Sequence, residues 1–381
     1  MDRSIKRPVV RNALRLGRVF GIAIGLDWSW FIVFFLITWS LAAHYFPMNY
    51  PDWSRGLYWL VGLLTSLLFF GSVLAHELSH SLVARATGTP VKSITLFIFG
   101  GVAQIAREPQ RPRDEFWMAL AGPGMSLALA FLFGLIWLGA RDVSQPVAAL
   151  AFWLGWINLL LAGFNLIPGF PLDGGRVLRS ILWGITGDLR RATRIATTTG
   201  RMIAYIFIFW GILMIFRGYW INGLWIAFIG WFLENAAANS YRQVALRDQL
   251  AGHTAAEVMM VDCPRVPPDL TLEELVHDHV LRSGRHCFPV VDGERISGFI
   301  TLDAIKKVPR ERWATTTVDQ AKSSFAQVEA VSPETELFAV LELLAAEGVA
   351  QLPVLEGGEF LGMISRENVL AFIKARGELG I

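Results

Sequence analysis

The sequence predicts a polytopic α-helical membrane protein whose spanning helices are followed by a smaller soluble α/β domain. Of the 381 residues, 54% are hydrophobic and 17% are charged, whereas soluble domains contain about 45–50% apolar and about 25% charged residues. Residues 1–240 carry 20 Lys and Arg against 11 Asp and Glu, while residues 241–381 carry 14 against 21. Fourteen of the 15 tryptophans also precede residue 241. This composition excludes a wholly soluble enzyme and a disordered chain.

Six apolar segments are long enough to cross a bilayer, for which a helix needs about 20 residues. They are residues 22–46, 57–86, 115–139, 147–168, 200–217 and 219–238. Six basic residues precede the first segment, and no small-residue cleavage site follows at the usual distance. We therefore expect this segment to stay as a span and not to be removed as a signal peptide.

The basic residues predict the orientation, because Lys and Arg accumulate on cytoplasmic flanks. The N-terminus, the segments between spans two and three and between four and five, and the segment after span six are rich in them. The other three connections contain one Arg each, namely Arg55, Arg141 and Arg217. This alternation predicts six spans with both termini and the soluble domain in the cytoplasm, and we expect a multi-pass protein of a prokaryotic cell membrane.

One apolar segment, residues 95–105, is too short to span. It is rich in residues that favour strands and contains Gly100 and Gly101 in its middle, a pattern that favours a β-hairpin. Backbone without helical hydrogen bonds is tolerated at membrane depth only where protein or water surrounds it. The segment is therefore interpreted either as an interfacial loop or as a re-entrant hairpin that lines a cavity.

The second span contains the sequence His76-Glu77-Leu78-Ser79-His80. Histidines four residues apart lie on one face of a helix, so both imidazoles can reach one zinc ion. The adjacent Glu77 can then act on a zinc-bound water. Ionisable residues inside a span are costly and usually functional. We predict one Zn²⁺ per chain, the alternative being a polar cluster that packs the helices of the bundle.

A catalytic zinc ion usually has three protein ligands, so one more ligand is expected from the same leaflet. Spans two and four run in the same direction, and Pro168 and Pro171 break the helix at the end of span four. Asp173 then lies on irregular backbone at about the depth of the histidines, and we predict that it is the third ligand. Taken alone, the Pro-Leu-Asp-Gly-Gly segment would predict only a turn.

These motifs together resemble those of the site-2 protease family of intramembrane zinc metalloproteases. The likeness extends over about residues 18–240 and rests on the His-Glu-x-x-His motif and on Asn-x-x-Pro-x-x-x-x-Asp-Gly. Asn165, Pro168, Asp173 and Gly174 occupy the positions of the second motif. The resemblance implies hydrolysis of peptide bonds within or next to transmembrane segments of membrane-protein substrates.

The resemblance also implies roles for individual residues. His76, His80 and Asp173 would be the zinc ligands, and Glu77 would be the general base and acid. Asn165 would contact the substrate or the oxyanion. Because a helix hides its peptide carbonyls, the substrate has to be extended for cleavage, and the hairpin at Gly100 and Gly101 offers a strand edge for it.

The soluble part contains an internal repeat. One unit runs from Val266 through Phe288 to Asp303, and the other runs from Val331 through Leu352 to Glu367. Each predicts strand–helix–strand–strand–helix, and the two resemble a tandem pair of cystathionine-β-synthase (CBS) domains. The predicted domains are a protease domain at 1–240, a linker at 241–250, and CBS repeats at 251–314 and 315–381.

Pairs of this kind often bind adenine nucleotides and regulate the enzyme to which they are attached. The Asp that usually contacts the ribose is replaced here by Ala304 and by Asn368. The pair is therefore interpreted either as a nucleotide sensor or as a module for dimerisation or substrate docking.

The partners expected from the sequence are a membrane-protein substrate, the lipid bilayer and a second copy of the chain through the CBS pair, with no nucleic acid. Two rival classes are a transporter or channel gated by CBS domains and an inactive membrane scaffold. A transporter or channel does not explain the His-Glu-x-x-His motif or an Asp-Gly turn in the same leaflet, and zinc content with and without the Glu77→Gln change separates the classes.

Overall fold

The computed structural model of the protein describes residues 14–98, 100–105, 109–285, 287–293, 295–323 and 329–379. Contacts between residues divide the chain into two compact units, Met1–Val244 and Ala245–Ile381. We call these the membrane unit and the C-terminal unit.

The membrane unit consists of long helices and one small sheet. Its strands are β1 (Leu14–Val19), β2 (Ile22–Leu26), β3 (Val91–Phe97) and β4 (Gly100–Ile105). Its helices are α1 (Trp28–Ser40), α2 (Phe46–Asn49), α3 (Arg55–Ala86), α4 (Pro112–Ala140), α5 (Gln145–Asn165), α6 (Asp173–Thr186), α7 (Leu189–Phe216) and α8 (Trp220–Leu250). One π-helical turn, Leu41–Tyr45, joins α1 to α2.

Five of the described helical segments are long and apolar enough to cross a membrane. They are Trp28–Asn49, Arg55–Ala86, Pro112–Ala140, Gln145–Asn165 and Leu189–Phe216. The protein is thus a multi-pass membrane protein, as predicted. Helix α8 covers the predicted sixth segment but is not among these five helices.

The predicted start of the first span, at residue 22, is wrong. Residues 22–26 form β2, which pairs with β1 in an antiparallel hairpin. Helix α1 begins only after Asp27, whose carboxylate accepts hydrogen bonds from the Ser29 amide at 2.9 Å and from the Ser29 hydroxyl at 2.6 Å. This N-cap fixes the first helical residue, so the apolar residues before it are free to form a strand.

The predicted hairpin at residues 95–105 is confirmed, and it is longer than expected. Strands β3 and β4 pair antiparallel, with Phe97 opposite Gly100 and Leu96 opposite Gly101, so the glycines begin β4 and do not form the centre of the turn. Strand β3 pairs in parallel with β2, which gives the sheet the order β1-β2-β3-β4. Strand β4 therefore lies at an edge of the sheet.

Helix α3 presents a buried polar face to its neighbours. Thr65, Ser66 and Ser72 are buried, and so are His76 and His80 further along the same helix. The hydroxyls of the three smaller residues donate to carbonyls one turn earlier in α3, and the Ser72 hydroxyl also accepts a hydrogen bond from the Asn158 amide of α5 at 3.2 Å. The two imidazoles therefore point into the bundle.

The C-terminal unit contains short helices and two hairpins. Its helices are α9 (Ala255–Val258), α10 (Leu272–Glu274), α11 (Leu281–Ser283), α12 (Leu302–Lys306), α13 (Val318–Ala321), α14 (Leu337–Glu347) and α15 (Arg366–Leu379). Its strands are β5 (Cys287–Asp292), β6 (Arg295–Thr301), β7 (Gln351–Glu356) and β8 (Glu359–Ser365). A π-helical segment, Leu275–Val280, joins α10 to α11, and a short 3₁₀ turn is formed by Arg310–Arg312.

The two hairpins have the same register, which confirms the internal repeat. Val290 lies opposite Gly298 in the first hairpin, and Val354 lies opposite Gly362 in the second. Parallel bridges join Val266 to Val290 and Val331 to Val354.

The cores do not follow the predicted repeat boundaries at 251–314 and 315–381. Leu250 and Ala255 are buried in the core of the second repeat, beside Leu337. Val318 is buried in the core of the first repeat. Each repeat thus receives a segment that lies on the other side of the predicted boundary.

The predicted linker, residues 241–250, is helical. It forms the last part of α8, and its final residue, Leu250, is fully buried in the C-terminal unit. The segment therefore has to be corrected from a linker to part of a packed helix, because an apolar residue at its end contributes to a core.

We expect Leu337→Ala to lower the unfolding free energy of the C-terminal unit by about 2–5 kcal/mol, since Leu337 is fully buried and its truncation leaves a cavity. Leu370→Ala, at a position that is 51% exposed, is the matched control and should change it by less than about 0.5 kcal/mol. Amide hydrogen exchange of β7 and β8, followed by mass spectrometry of the full chain, measures both. Equal protection in the two variants would contradict the assigned core.

Candidate active site

Three side chains meet at one point inside the membrane unit. The Nε2 atoms of His76 and His80 are 3.2 Å apart, and each lies 3.2 Å from Oδ2 of Asp173. Zinc binds such ligands at about 2.0–2.2 Å in tetrahedral geometry, which places neighbouring ligand atoms about 3.3 Å apart. Among the described residues, these three side chains form a group that could hold a metal ion. The distances between their ligand atoms fit zinc.

Both imidazoles are oriented by helix α4. Nδ1 of His80 donates to the carbonyl of Met118 at 2.6 Å, and Nδ1 of His76 is 2.9 Å from the hydroxyl of Ser126. Because a carbonyl oxygen can only accept, this contact puts a proton on Nδ1 of His80 and turns its Nε2 toward the cluster. The Ser126 hydroxyl fixes the orientation of the His76 ring.

Gly122 allows α4 to pass this close to the histidines. A Cβ atom at this position would lie 2.6 Å from Nε2 of His76 and would overlap the ring of His80. Any other residue would therefore occupy the space between the two imidazoles. Pro123, the next residue, lies within the same helix.

Asp173 is the first residue of α6, and not part of an irregular segment as the sequence suggested. A carboxylate in the first turn of a helix is stabilised by the positive end of the helix dipole. The turn before α6 is compact, because Cβ atoms at Gly174 and Gly175 would overlap the backbone between Leu166 and Phe170. The two glycines thus let this turn close and bring Asp173 to the histidines.

Helix α6 is also fastened to α4 by a buried ion pair. Glu115, which is 1% exposed, accepts a hydrogen bond from Nε of Arg179 at 2.7 Å and a second, short one from the same guanidinium. The guanidinium lies over the ring of Phe170, 5.1 Å from its centroid. The helix that orients the histidines is therefore tied to the helix that carries Asp173.

A cavity of about 500 Å³ opens at the cluster. Every residue predicted to belong to the site lines it, namely His76, Glu77, His80, Gly100, Gly101, Asn165 and Asp173. Gly101 packs against Glu77, since a Cβ atom there would lie 3.1 Å from Cδ of the carboxylate and closer still to Cγ. The amide of Asn165 donates to the carbonyl of Leu161 at 3.0 Å.

Sequence reasoning missed the supporting residues on α4 and the cavity residue Arg176. Met118 contributes only a backbone carbonyl, and Ser126 and Gly122 belong to no metal-binding pattern. The signal that the sequence offered on α4 was the segment Ala121-Gly122-Pro123, which resembles a segment of the site-2 protease family. Arg176 stands in the sequence directly after Asp173-Gly174-Gly175.

Comparisons with known proteins identify the family of the chain. The model of peptidase family M50 matches residues 64–144 and 134–207, and the CBS-domain model matches residues 255–311 and 324–375. The chain is 37% identical over 371 residues to sll0528 of Synechocystis sp., which is named as a zinc metalloprotease, covering 96% of this chain and 97% of the relative. It is 29% identical over 361 residues to the zinc metalloprotease MJ0392 of Methanocaldococcus jannaschii, covering 94% and 95%.

Among solved structures, the site-2 protease from Methanocaldococcus jannaschii matches with 29% identity and a TM-score of 0.42, over 60% of this chain and 95% of that one. The fold, the site and the relatives define a membrane zinc metalloprotease. The chain belongs to peptidase family M50, the site-2 proteases, and carries a C-terminal CBS pair.

We expect Gly122→Ala to reduce bound zinc from about one ion per chain to nearly none, because the added methyl group occupies the space between the imidazoles and a packed interior cannot move aside. Gly124→Ala is the control, since a Cβ atom there meets open space. Zinc is measured by mass spectrometry of the purified protein. Equal zinc content in both variants would contradict the close packing of Gly122 against the imidazoles of His76 and His80.

Glu115→Gln should lower the unfolding free energy of the membrane unit by about 3–5 kcal/mol, because it leaves the buried Arg179 guanidinium without its counterion. Arg201→Met breaks an exposed pair with Glu234 and should change it little. Equilibrium unfolding in mixed detergent micelles compares the two. A similar loss in both variants would mean that the buried pair has no special role.

Proposed function

We propose that the protein is an intramembrane protease that hydrolyses peptide bonds within or next to transmembrane segments of membrane proteins. The observation that carries this proposal is the cluster of three ligand atoms 3.2 Å apart, with Glu77 and the edge strand β4 lining the same cavity. His76, His80 and Asp173 are the proposed zinc ligands. Zinc bound there would supply a Lewis acid for the scissile carbonyl and would acidify a water molecule.

Glu77 is the proposed general base and acid. It follows His76 directly in α3 and lines the cavity next to the cluster. Its carboxylate can take a proton from the attacking water and return it to the leaving amine nitrogen, so that one group serves both transfers. Gly101 packs against this side chain and limits its movement.

Strand β4 is the proposed binding site for the extended substrate. It lies at an edge of the sheet, and Gly100, Gly101 and Ala103 line the cavity. A peptide in extended conformation can pair with such an edge through main-chain hydrogen bonds. Without side chains at Gly100 and Gly101, the substrate backbone can come close to the cluster, and Asn165 lies on the same cavity as a further substrate contact.

The proposed topology has six spans, with α8 as the sixth. The alternation of basic residues between the spans supports it and favours cytoplasmic termini and a cytoplasmic CBS pair. The apolar side chains exposed on α8 support a lipid environment, among them Trp220, Leu224 and Trp231. A prokaryotic cell membrane is the proposed location.

The CBS pair is proposed to regulate the protease or to dock its substrate, either in one chain or in a dimer formed through the pair. Regulation by a bound nucleotide is less well supported than substrate docking. The Asn368 carboxamide oxygen already accepts hydrogen bonds from the amide and the hydroxyl of Ser365, at 3.1 and 2.6 Å. In the first repeat, the Thr301 hydroxyl caps the amide of Ala304, and no carboxylate is present at that position.

Glu77→Gln should abolish proteolysis and leave zinc binding intact, because the amide cannot accept the proton while the three ligands remain. Membrane proteomes of cells with the wild-type and Glu77→Gln proteins are compared, and substrates accumulate uncleaved in the variant. Zinc content of the purified variant is the control. Cleavage by Glu77→Gln above that of zinc-depleted protein would remove Glu77 from the mechanism.

Asp173→Ala should lower both zinc occupancy and activity, since it removes one of three ligand atoms and leaves two histidines. Asp188→Ala is a suitable control, because Asp188 is an exposed helix cap distant in sequence from the site. Full zinc occupancy in Asp173→Ala would assign the third ligand to another residue.

Deletion of residues 250–381 should change the rate of cleavage strongly. ATP or AMP should change it less, because Thr301, Ser365 and Asn368, which lie where a ribose would be expected, already form hydrogen bonds that cap helices. One substrate is tested with the full-length and truncated proteins, with and without nucleotide. Equal rates in all four conditions would exclude a regulatory or docking role of the pair for that substrate.

A further inference from the structure

Arg176 has a charge that the assigned roles do not use. It lies three residues after Asp173 in α6, so the two side chains share a face of the helix. Its side chain is 23% exposed and lines the same cavity as Glu77 and the metal cluster. A guanidinium that is largely removed from water is costly unless a partner neutralises it.

The nearest ion pair neutralises Arg176 only in part. Nε of Arg176 is 3.9 Å from Oε1 of Glu115, which is too far for a hydrogen bond. The same oxygen accepts two hydrogen bonds from Arg179, whose guanidinium is fixed over Phe170. Glu115 therefore holds Arg179 more tightly than Arg176, and Arg176 lines the cavity that Glu77 and Asp173 also line.

We propose that Arg176 is a further catalytic residue that binds the scissile carbonyl oxygen, an inference that rests on the function proposed above. During hydrolysis, the oxygen of water adds to the carbonyl carbon, the C–N bond breaks, and both protons of the water pass to the leaving nitrogen, which departs as an ammonium group. The former carbonyl oxygen gains negative charge on the way and ends in the carboxylate of the N-terminal product. The guanidinium of Arg176 donates hydrogen bonds to this oxygen throughout and loses no proton.

Arg176 suits this role better than Asn165 does. One N–H of the Asn165 amide is already donated to the carbonyl of Leu161, and the amide is neutral. Hydrogen bonds from a charged donor to a charged acceptor are roughly twice as strong as neutral ones, and a guanidinium can hold a carboxylate with two parallel bonds. A fixed positive charge aimed at the oxygen that gains negative charge stabilises the transition state.

The kinetic test uses full-length zinc-loaded protein in lipid vesicles and a substrate that accumulates in Glu77→Gln cells. Arg176→Met should lower kcat by about 10²–10³-fold with a smaller change in KM, as expected for loss of a donor that acts on the transition state. Arg176→Lys should lose less, because it keeps the charge. Arg194→Met, at an exposed position of α7, is the matched control. Loss of activity through KM alone would overturn the proposal.

A binding test does not depend on turnover. The dissociation constants of N-acetyl-Leu-Leu, a product mimic with a free carboxylate, and of its amide are measured on each zinc-loaded variant by calorimetry. Arg176→Met should reduce the preference for the acid by at least about tenfold, with Arg176→Lys in between and zinc content unchanged. If Arg176→Met does not fold, Arg176→Lys decides, and a wild-type preference in that variant overturns the proposal.

These measurements distinguish failure of the proposed function from failure of the role of Arg176. If the wild-type protein cleaves no more than Glu77→Gln, the proposed function is wrong. If the wild-type protein cleaves, and Arg176→Met keeps both its kcat and its preference for the acid, only the role of Arg176 is wrong.

Discussion

Two imidazoles and a carboxylate have to be held within 3.2 Å of one another inside an apolar helix bundle, and much of the membrane unit follows from this constraint. Polar groups taken out of water must be hydrogen-bonded or they destabilise the fold. The histidines meet this requirement through helix α4, which has to come very close to α3. That approach in turn requires Gly122, because a side chain there would fill the metal position.

The third member of the cluster is subject to a similar requirement. Asp173 reaches the histidines only because the turn before α6 closes on itself, and that turn leaves no room for Cβ atoms at Gly174 and Gly175. The buried pair of Glu115 and Arg179 then joins α6 to the helix that orients the imidazoles. The site is thus held by close backbone approaches and by one buried ion pair.

The sequence was sufficient for the parts of the site that depend on local spacing. His76 and His80 are four residues apart on a helix, so their shared face follows from helix geometry alone, and Asp173 followed from matching the directions of two spans. The orienting groups could not be found in this way, because Met118 contributes a backbone carbonyl and Ser126 a common hydroxyl. Strand β2 was predicted to be part of a span, since hydropathy does not distinguish an apolar strand from an apolar helix. The N-cap at Asp27 shows where the helix begins.

The exchange of segments between the CBS repeats has a consequence for synthesis of the chain. The amide of Ala255 donates to the carbonyl of Thr335, and the amide of Leu337 donates to the carbonyl of His253. A ribosome adds about 5–20 residues per second. Roughly 4–16 s therefore pass between the synthesis of Ala255 and that of its partner Thr335. During that time Leu250 and Ala255 have no core to enter. A chain that stops after the first repeat would leave both side chains without the core that covers them in the complete protein.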